Sequence, residues 1–375
     1  MFDAEPDRAA LRASWFQRFL LPGFAFKAVV IGGGYATGRE LAEFFLPAGP
    51  WGGLAGIAVA TLIWSLICAA TFALAVSTRS YEYRSFFQAI LGRGWFLFEI
   101  VYGLFVILII AVYGAAAGAI GQALFGWPSI VGTLLLSGGI AGFATFGNHA
   151  VERLFKWVSI ALYLVYALFL LLALSRFGPV ITAHFAGPAI TSRGWLAGGV
   201  TYASYNVVGA VAILPMLRHI GRPRDAVIAG LVAGPLAMIP AIVFFVAMIA
   251  FYPAIASVPL PSDTILSALD IPLFHIAFQI MIFLALLESG TGAVHAINER
   301  FAATWRRPLT RGMRLTMTVA MLLLCIFAAE HFGLVALIAR GYRLLAIAII
   351  AIFMLPLLAA LLRTATLWSR DTRLT

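Results

Sequence analysis

The chain has 375 residues, 63% hydrophobic and only 11% charged, with a formal net charge of +10. Soluble chains hold roughly 25% charged residues, so a mean hydropathy of +1.01 excludes a soluble domain of this size. The positive charge does not point to nucleic acid, because the basic residues sit in short segments between apolar runs, as orientation in a bilayer requires. Those runs, longer than about 18 residues, recur from Phe24 to Leu362 and predict an all-α polytopic membrane protein.

An arm over 1–23 comes first, opening "MFDAEPDRAALRASWFQRF". It mixes acids with bases and lacks a small-residue cleavage site, so it does not read as a signal peptide. Ten spans follow, at 24–46, 53–77, 94–123, 127–147, 151–175, 194–217, 225–252, 273–298, 311–330 and 342–363, with a tail over 364–375. With the N-terminus in the cytoplasm, of the 25 basic residues only Arg39, Arg176, Arg193, Arg340 and Arg343 fall outside the cytoplasmic segments and helix ends, so both termini are expected there. Cys68 and Cys325 lie in apolar runs and read as small core hydrophobes.

Two outer connections are long, "RFGPVITAHFAGPAITSR" and "YPAIASVPLPSDTILSALDIP". The second contains "PSDTILSAL", which predicts a short amphipathic helix capped by Ser262 or Asp263. "FGLVALIARGY", before the last span, predicts another short outer helix or a re-entrant piece.

Span one reads "IGGGYATGRELAEFF" at its centre. A glycine costs roughly 1 kcal/mol relative to alanine in a helix, and Gly32, Gly33 and Gly34 in a row predict local unwinding. Unwound backbone in a bilayer must line a cavity or be buried in protein, although close packing through small residues would use the same glycines. Thr37, Arg39, Glu40 and Glu43 follow directly, and charges within a span are expensive and usually functional. Span six, "GGVTYASYNVVGAVAILP", echoes the pattern, with Tyr202-Ala203-Ser204 matching Tyr35-Ala36-Thr37. Glycine-interrupted segments at corresponding places in two halves point to repeats of inverted topology, here 24–175 and 176–363.

"GGGYATGRELAEFF", "TYASYNVVGA" and "ESGTGAVHAINER" resemble the YkvI-like bacterial membrane proteins, a family similar to the amino acid–polyamine–cation superfamily. The resemblance implies a leucine-transporter-type 5+5 inverted repeat in a bacterial inner membrane. Helices 1 and 6 would be broken around a central site lined by spans three and eight. Gly32, Gly33, Gly34 and Tyr35 would then hold a carboxylate or other polar head through backbone, Thr37 would offer a hydroxyl, and Tyr202, Ser204, Tyr205 and Asn206 would contribute side chains. Asn206, an amide beside the break in an apolar helix, is the most persuasive of these, with a helix–helix bond as its alternative. Tyr102 and Tyr113 lie on span three, and Tyr113 would close over the solute; Trp64 reads as packing.

Glu288, Ser289 and Thr291 would form the coupling-ion region. Gly290 separates the two hydroxyls, so the adjacent pair of sodium-coupled relatives is not reproduced, and Glu288 could take up a proton instead, with Lys156 as counter-charge. Arg39, Glu40 and Glu43 would form an outer gate, with Arg340, Arg343 or Glu330 as closing partners. A transition-metal substrate would need an acid at the first break and a soft ligand at the second, and neither motif supplies one. A monoamine would also need a buried acid, absent unless Glu288 or Glu40 reaches in. His149, His219, His295 and His331 scatter near span ends as interfacial residues, and no catalytic set or phosphate loop is present.

The sequence therefore predicts a secondary active transporter, Na⁺- or H⁺-coupled, moving a small amino acid-like or carboxylate-bearing solute by alternating access. No cofactor is expected, with Na⁺ the one candidate. The partners are the solute and the lipid bilayer. A ligand sensor that keeps the fold without moving solute is the alternative.

Overall fold

The computed structural model describes residues 14–30, 33–146, 149–187, 194–304 and 310–371, and every regular element among them is helical. Six stretches are long and apolar enough to cross a membrane: Arg39–Thr78, Tyr83–Phe125, Ile160–Ala186, Pro223–Ile249, Pro272–Phe301 and Gly312–Arg363. Leu21–Val30 and Ser129–Thr145 are shorter apolar helices. Leucines such as Leu62, Leu104, Leu164 and Leu344 stand exposed around the bundle, as a lipid-facing surface requires.

α1 (Trp15–Phe19) is capped reciprocally, with Gln17 N donating to Ser14 Oγ and Ser14 N to Gln17 Oε1. Span one follows in three pieces, α2 (Leu21–Val30), α3 (Gly33–Ala36) and α4 (Arg39–Phe44). The chain turns through a 3₁₀ segment, Leu46–Ala48, and returns along α5 (Gly49–Thr78). α6 (Tyr83–Leu91) lies across the N-terminal face, where Phe87 stacks on Phe98 at 3.7 Å. α7 (Phe96–Phe125), α8 (Ser129–Phe146) and α9 (His149–Ala186) complete the first half.

The second half opens with α10 (Trp195–Asn206), α11 (Val208–Ala212) and a 3₁₀ segment, Leu214–His219. α12 (Pro223–Ile249) leads to an outer 3₁₀ turn, Ala254–Ser257, and to α13 (Pro261–Leu269). α14 (Pro272–Thr304) and α15 (Arg311–Ala336) follow. The chain then runs helical to Asp371 through a π-helical turn (Leu337–Tyr342), α16 (Arg343–Ile349), a second π turn (Ile350–Met354) and α17 (Leu355–Asp371).

Three expectations change. The first outer connection is mostly helix, since α9 continues through Pro179 to Ala186; Thr182 Oγ1 donates to the Gly178 and Pro179 carbonyls there. "PSDTILSAL" is helical as predicted, but Leu260 occupies its cap without a side-chain bond. Asp263 is drawn away instead, accepting from His275 at 2.7 Å and Gln279 at 2.8 Å. "FGLVALIARGY" is no separate piece: Gly333 (φ 71°, ψ 165°) reverses the chain in a single residue, and the rest belongs to the returning helix. Glu330 near that reversal accepts from Ser129 and Thr133 at the far end of α8, whereas Phe353 packs on Phe86 and Phe87 at the N-terminal face.

Small residues let the helices touch. A side chain on Gly230 would overlap the Ala69 backbone, one on Gly234 would overlap Ser65, and one on Gly132 would overlap the Ala117 carbonyl. Ser65 Oγ donates to the Leu231 carbonyl at 2.9 Å and Trp64 Nε1 to the Ala203 carbonyl at 3.1 Å, binding α5 to α12 and to α10.

Candidate functional site

Among the described residues, span one is interrupted at Thr37-Gly38, just after the glycine triplet. Gly33 and Gly34 lie in the single turn of α3, and Gly32 is outside the described residues. Gly38 adopts φ +79°, a left-handed conformation that suits glycine, and a Cβ there would sit 2.6 Å from the Phe244 ring. The freed backbone groups are satisfied. Gly38 N donates to Tyr35 O, Arg39 N to Thr37 Oγ1 at 3.3 Å, and Ser262 N, from α13, to Thr37 O at 3.0 Å.

Span six is interrupted more gently. Val207 (φ −64°, ψ −12°) tightens the backbone between α10 and α11, and the chain passes into the 3₁₀ segment without an unwound loop. This differs from the expected symmetric break, and the residues explain it: Val207 and Val208 cannot take the left-handed conformation that Gly38 takes.

A cavity of about 80 Å³, room for several water molecules, lies between the two interruptions. Its polar wall is Tyr35, Glu40, Tyr102, Tyr113, Tyr205, Asn206 and Tyr342. Toward the N-terminal face the wall is aliphatic, with Val29 and Val30 of α2 opposite Val208 and Ala212 of α11. Tyr205 Oη donates to Glu40 Oε2 at 2.6 Å, and the Tyr205 and Tyr342 rings lie 4.4 Å apart. Asn206 Nδ2 donates to the Tyr202 carbonyl of its own helix at 3.0 Å, and Tyr113 reaches toward Ser289. The Tyr35 hydroxyl is buried beside that of Tyr166, the two rings lying 6.3 Å apart.

The structure thus brings Tyr35, Tyr113, Tyr205 and Asn206 together, and leaves other candidates outside the cavity wall. Tyr202 packs on Phe45 and Trp64, and Ser204 Oγ donates back to Val200 O at 2.6 Å. Thr37 serves the break as described above. Thr291 Oγ1 donates to Leu287 O at 2.7 Å. Glu288 is half-buried within electrostatic range of Tyr163, whose ring also lies 5.0 Å from the Lys27 ammonium; Lys27, unremarked as a partner in the sequence, is thereby a neighbour of this region.

The gate trio divides. Arg39 is 2% exposed; it donates to the Ala256 and Val258 carbonyls at 2.7 and 2.9 Å and to Glu43 Oε2 at 2.7 Å. That clamp, with Ser262 on Thr37, docks the outer loop over the break and closes the cavity on the far side. Glu40 turns the other way, into the cavity, although the sequence groups it with the gate. Arg340 and Arg343 are exposed, and Glu330 is bonded to α8, so none of them closes on Arg39. Tyr342 was not singled out; its signal is an aromatic residue beside Gly341 at the end of "FGLVALIARGY", a segment read for its conformation and its arginines. The π-helical turn that carries it is a device frequent at functional sites. No group of three or more His, Cys, Asp or Glu side chains gathers among the described residues.

No protein-family model matches the chain. It is similar to the membrane protein YkvI of Bacillus subtilis (strain 168), 33% identical over 120 residues, which is 31% of this chain and 33% of that protein. The match therefore takes in a third of that relative's length. The structure is similar to MhsT in complex with L-phenylalanine (TM-score 0.56, 16% identity, 93% of this chain and 98% of that one). It is also similar to a manganese transporter of Eremococcus coleocola (0.57, 14%, 90% and 77%) and to a Na⁺-coupled sialic acid symporter (0.60, 12%, 93% and 83%). The chain is a polytopic membrane protein with the leucine-transporter fold, as the resemblance in its motifs implied.

Proposed function

We propose that the chain is a secondary active transporter that moves a small polar organic solute by alternating access, coupled to Na⁺ or H⁺. The observation that carries this reading is the cavity at the level of the two interruptions. It is covered on the far side by the Arg39 clamp, whereas toward the N-terminal face, between α2 and α11, its lining residue Val29 is 48% exposed. Such a site needs one wall to part at a time. Tyr35, Tyr113, Tyr205 and Asn206 hold the solute, with the backbone of Gly33 and Gly34 beside them. Glu288, Ser289 and Thr291 respond to the coupling ion, and Arg39 with Glu43 forms the gate. Spans one, two, six and seven, drawn from the repeats 24–175 and 176–363, rock against the remaining spans in a bacterial inner membrane, with both termini cytoplasmic.

Proteins of the same fold are named for manganese and for sialic acid, so the fold leaves the solute open. The lining here is one carboxylate, one amide and five phenols, without His, Cys or Met, a donor set better suited to an organic solute than to a transition metal.

Reconstitution into liposomes, with uptake driven by a Na⁺ or a pH gradient and a solute panel screened first by thermal stabilisation, tests the proposal. Accumulation that collapses with one of the gradients is the expected result. A solute that binds but neither accumulates nor exchanges across the vesicle overturns transport in favour of a sensor.

A further inference from the structure

We infer that the solute of this cavity carries an ammonium group, held by Glu40 inside a ring of tyrosines, and that the cavity selects small organic amines over carboxylates. The inference rests on the transport reading in that it names the solute of the same site. Its first ground is a charge without a counter-charge. Glu40 is 7% exposed, and only Oε2 is engaged, by Tyr205; Oε1 takes part in none of the described hydrogen bonds. Arg39, its neighbour in sequence, is spent on Glu43 and two loop carbonyls, and no Lys, Arg or His lines the cavity. A lone carboxylate sealed within a bilayer is expensive until a proton or a cation neutralises it.

The second ground is the wall. Tyr35, Tyr113 and Tyr342 lie around the carboxylate, and aromatic faces attract ammonium groups while repelling anions; the Tyr102 ring, also on the wall, is already covered by the Arg300 guanidinium at 3.7 Å. The Tyr35 hydroxyl, buried beside the Tyr166 hydroxyl, keeps an oxygen lone pair that can accept a second N–H. The third ground is the lack of a cationic group for an anion among the described residues of the wall. The Asn206 amide already donates to Tyr202 O, and a solute carboxylate would lie against Glu40 in a low-dielectric space where like charges repel strongly. The aliphatic side, Val29 with Val208 and Ala212, leaves a short apolar tail as the complement of the charged head. The acid that the sequence lacked for an amine substrate is therefore present, and the carboxylate-bearing solute expected from the motifs is disfavoured.

The test uses the full chain in lipid nanodiscs with four probes: n-butylammonium, n-butanol, n-butyrate and zwitterionic glycine. Thermal shift and calorimetric affinity are measured for wild type, Glu40→Gln and Glu40→Asp. The Gln amide oxygen can still accept from Tyr205, so that variant keeps the local bond, and monodispersity with unchanged helical circular dichroism controls for folding. Butylammonium should bind and stabilise, butyrate should not, and Glu40→Gln should weaken the amine by about tenfold or more while Glu40→Asp keeps part of the affinity. Butyrate or butanol binding as tightly as the amine overturns the inference, as does undiminished amine binding to Glu40→Gln or no binding of the amine to folded wild type. Glu40-dependent amine binding without counterflow in proteoliposomes sinks the transport reading alone. Gradient-driven uptake of a carboxylate, indifferent to Glu40→Gln, sinks the inference alone.

Discussion

Arg39 and Glu40 are adjacent, yet one holds the outer loop and the other faces the cavity. Successive residues on a helix project about 100° apart, so adjacent charges cannot share a task when one side of the helix is loop and the other is cavity. The pairing of Arg39 with Glu43 was legible from their spacing of four, and the 2.7 Å bond follows from it. The inward turn of Glu40 was not, because the break was sought at Gly32–Gly34. With α4 starting at Arg39, the helical period sends Glu40 to the face opposite the loop. Arg39→Met removes three bonds and leaves the Glu43 carboxylate without its partner. It should cost about 3 kcal/mol of stability and lower the unfolding temperature in nanodiscs. It should also loosen the far-side closure. Asn206→Cys, in a background with Cys68 and Cys325 replaced by alanine, should then react faster with a membrane-impermeant thiol reagent applied from the far side. Glu288→Gln, by contrast, should leave solute binding and folding intact while reducing gradient-driven uptake; wild-type uptake would remove Glu288 from the coupling role.

At the scale of elements, long apolar runs marked most helices, because a bilayer leaves the backbone few other options. The errors fell where hydropathy and helicity part company. α9 outlasts its apolar stretch, and Arg176 and Pro179 look like loop while remaining helical. Gly333 turns the chain with no polar linker to announce it. The two interrupted spans show how a single residue type decides the outcome: glycine at 38 permits a sharp break, valine at 207 only a tightening. Gly38→Ala should therefore destabilise the protein well beyond Gly126→Ala. Both positions are left-handed, at φ +79° and +68°, where alanine costs roughly 1–2 kcal/mol. Only Gly38 would also drive a methyl into Phe244, whereas Gly126 faces open space. Gly132→Leu should likewise separate α7 from α8 and cost upwards of about 2 kcal/mol, read as a fall in unfolding temperature.

At the scale of the molecule, the far side is fastened at several points. Arg39 grips the 254–258 turn, Ser262 is bonded to the break, and Asp263 is tied to His275 and Gln279 on α14. Opposite it, α2 and α11 meet through Gly209, where a Cβ would lie 3.2 Å from Phe26 and 3.3 Å from Val29. On the proposed transport reading, such asymmetry is one state of an alternating cycle, closed on the loop side. Only the recurrence of apolar runs and the echo between spans one and six were legible from the sequence at this scale. Which side is closed depends on contacts between residues more than two hundred positions apart.

The short capped helix at the N-terminus has a bearing on that cycle. Arg18 is paired with Asp225 at the start of α12, and the His219 ring donates to the Gln17 carbonyl at 2.7 Å. α1 leads straight into α2, so parting α2 from α11 to empty the cavity would pull on both bonds. The arm is thus a latch that must slip each time the solute leaves on that face. Its ion pair is partly exposed, and dissolved salt weakens such pairs. Raising ionic strength, or replacing Asp225 with Asn, should quicken release at the N-terminal face without changing affinity, so that the speed of the machine is set at its rim while its selectivity is set at its centre.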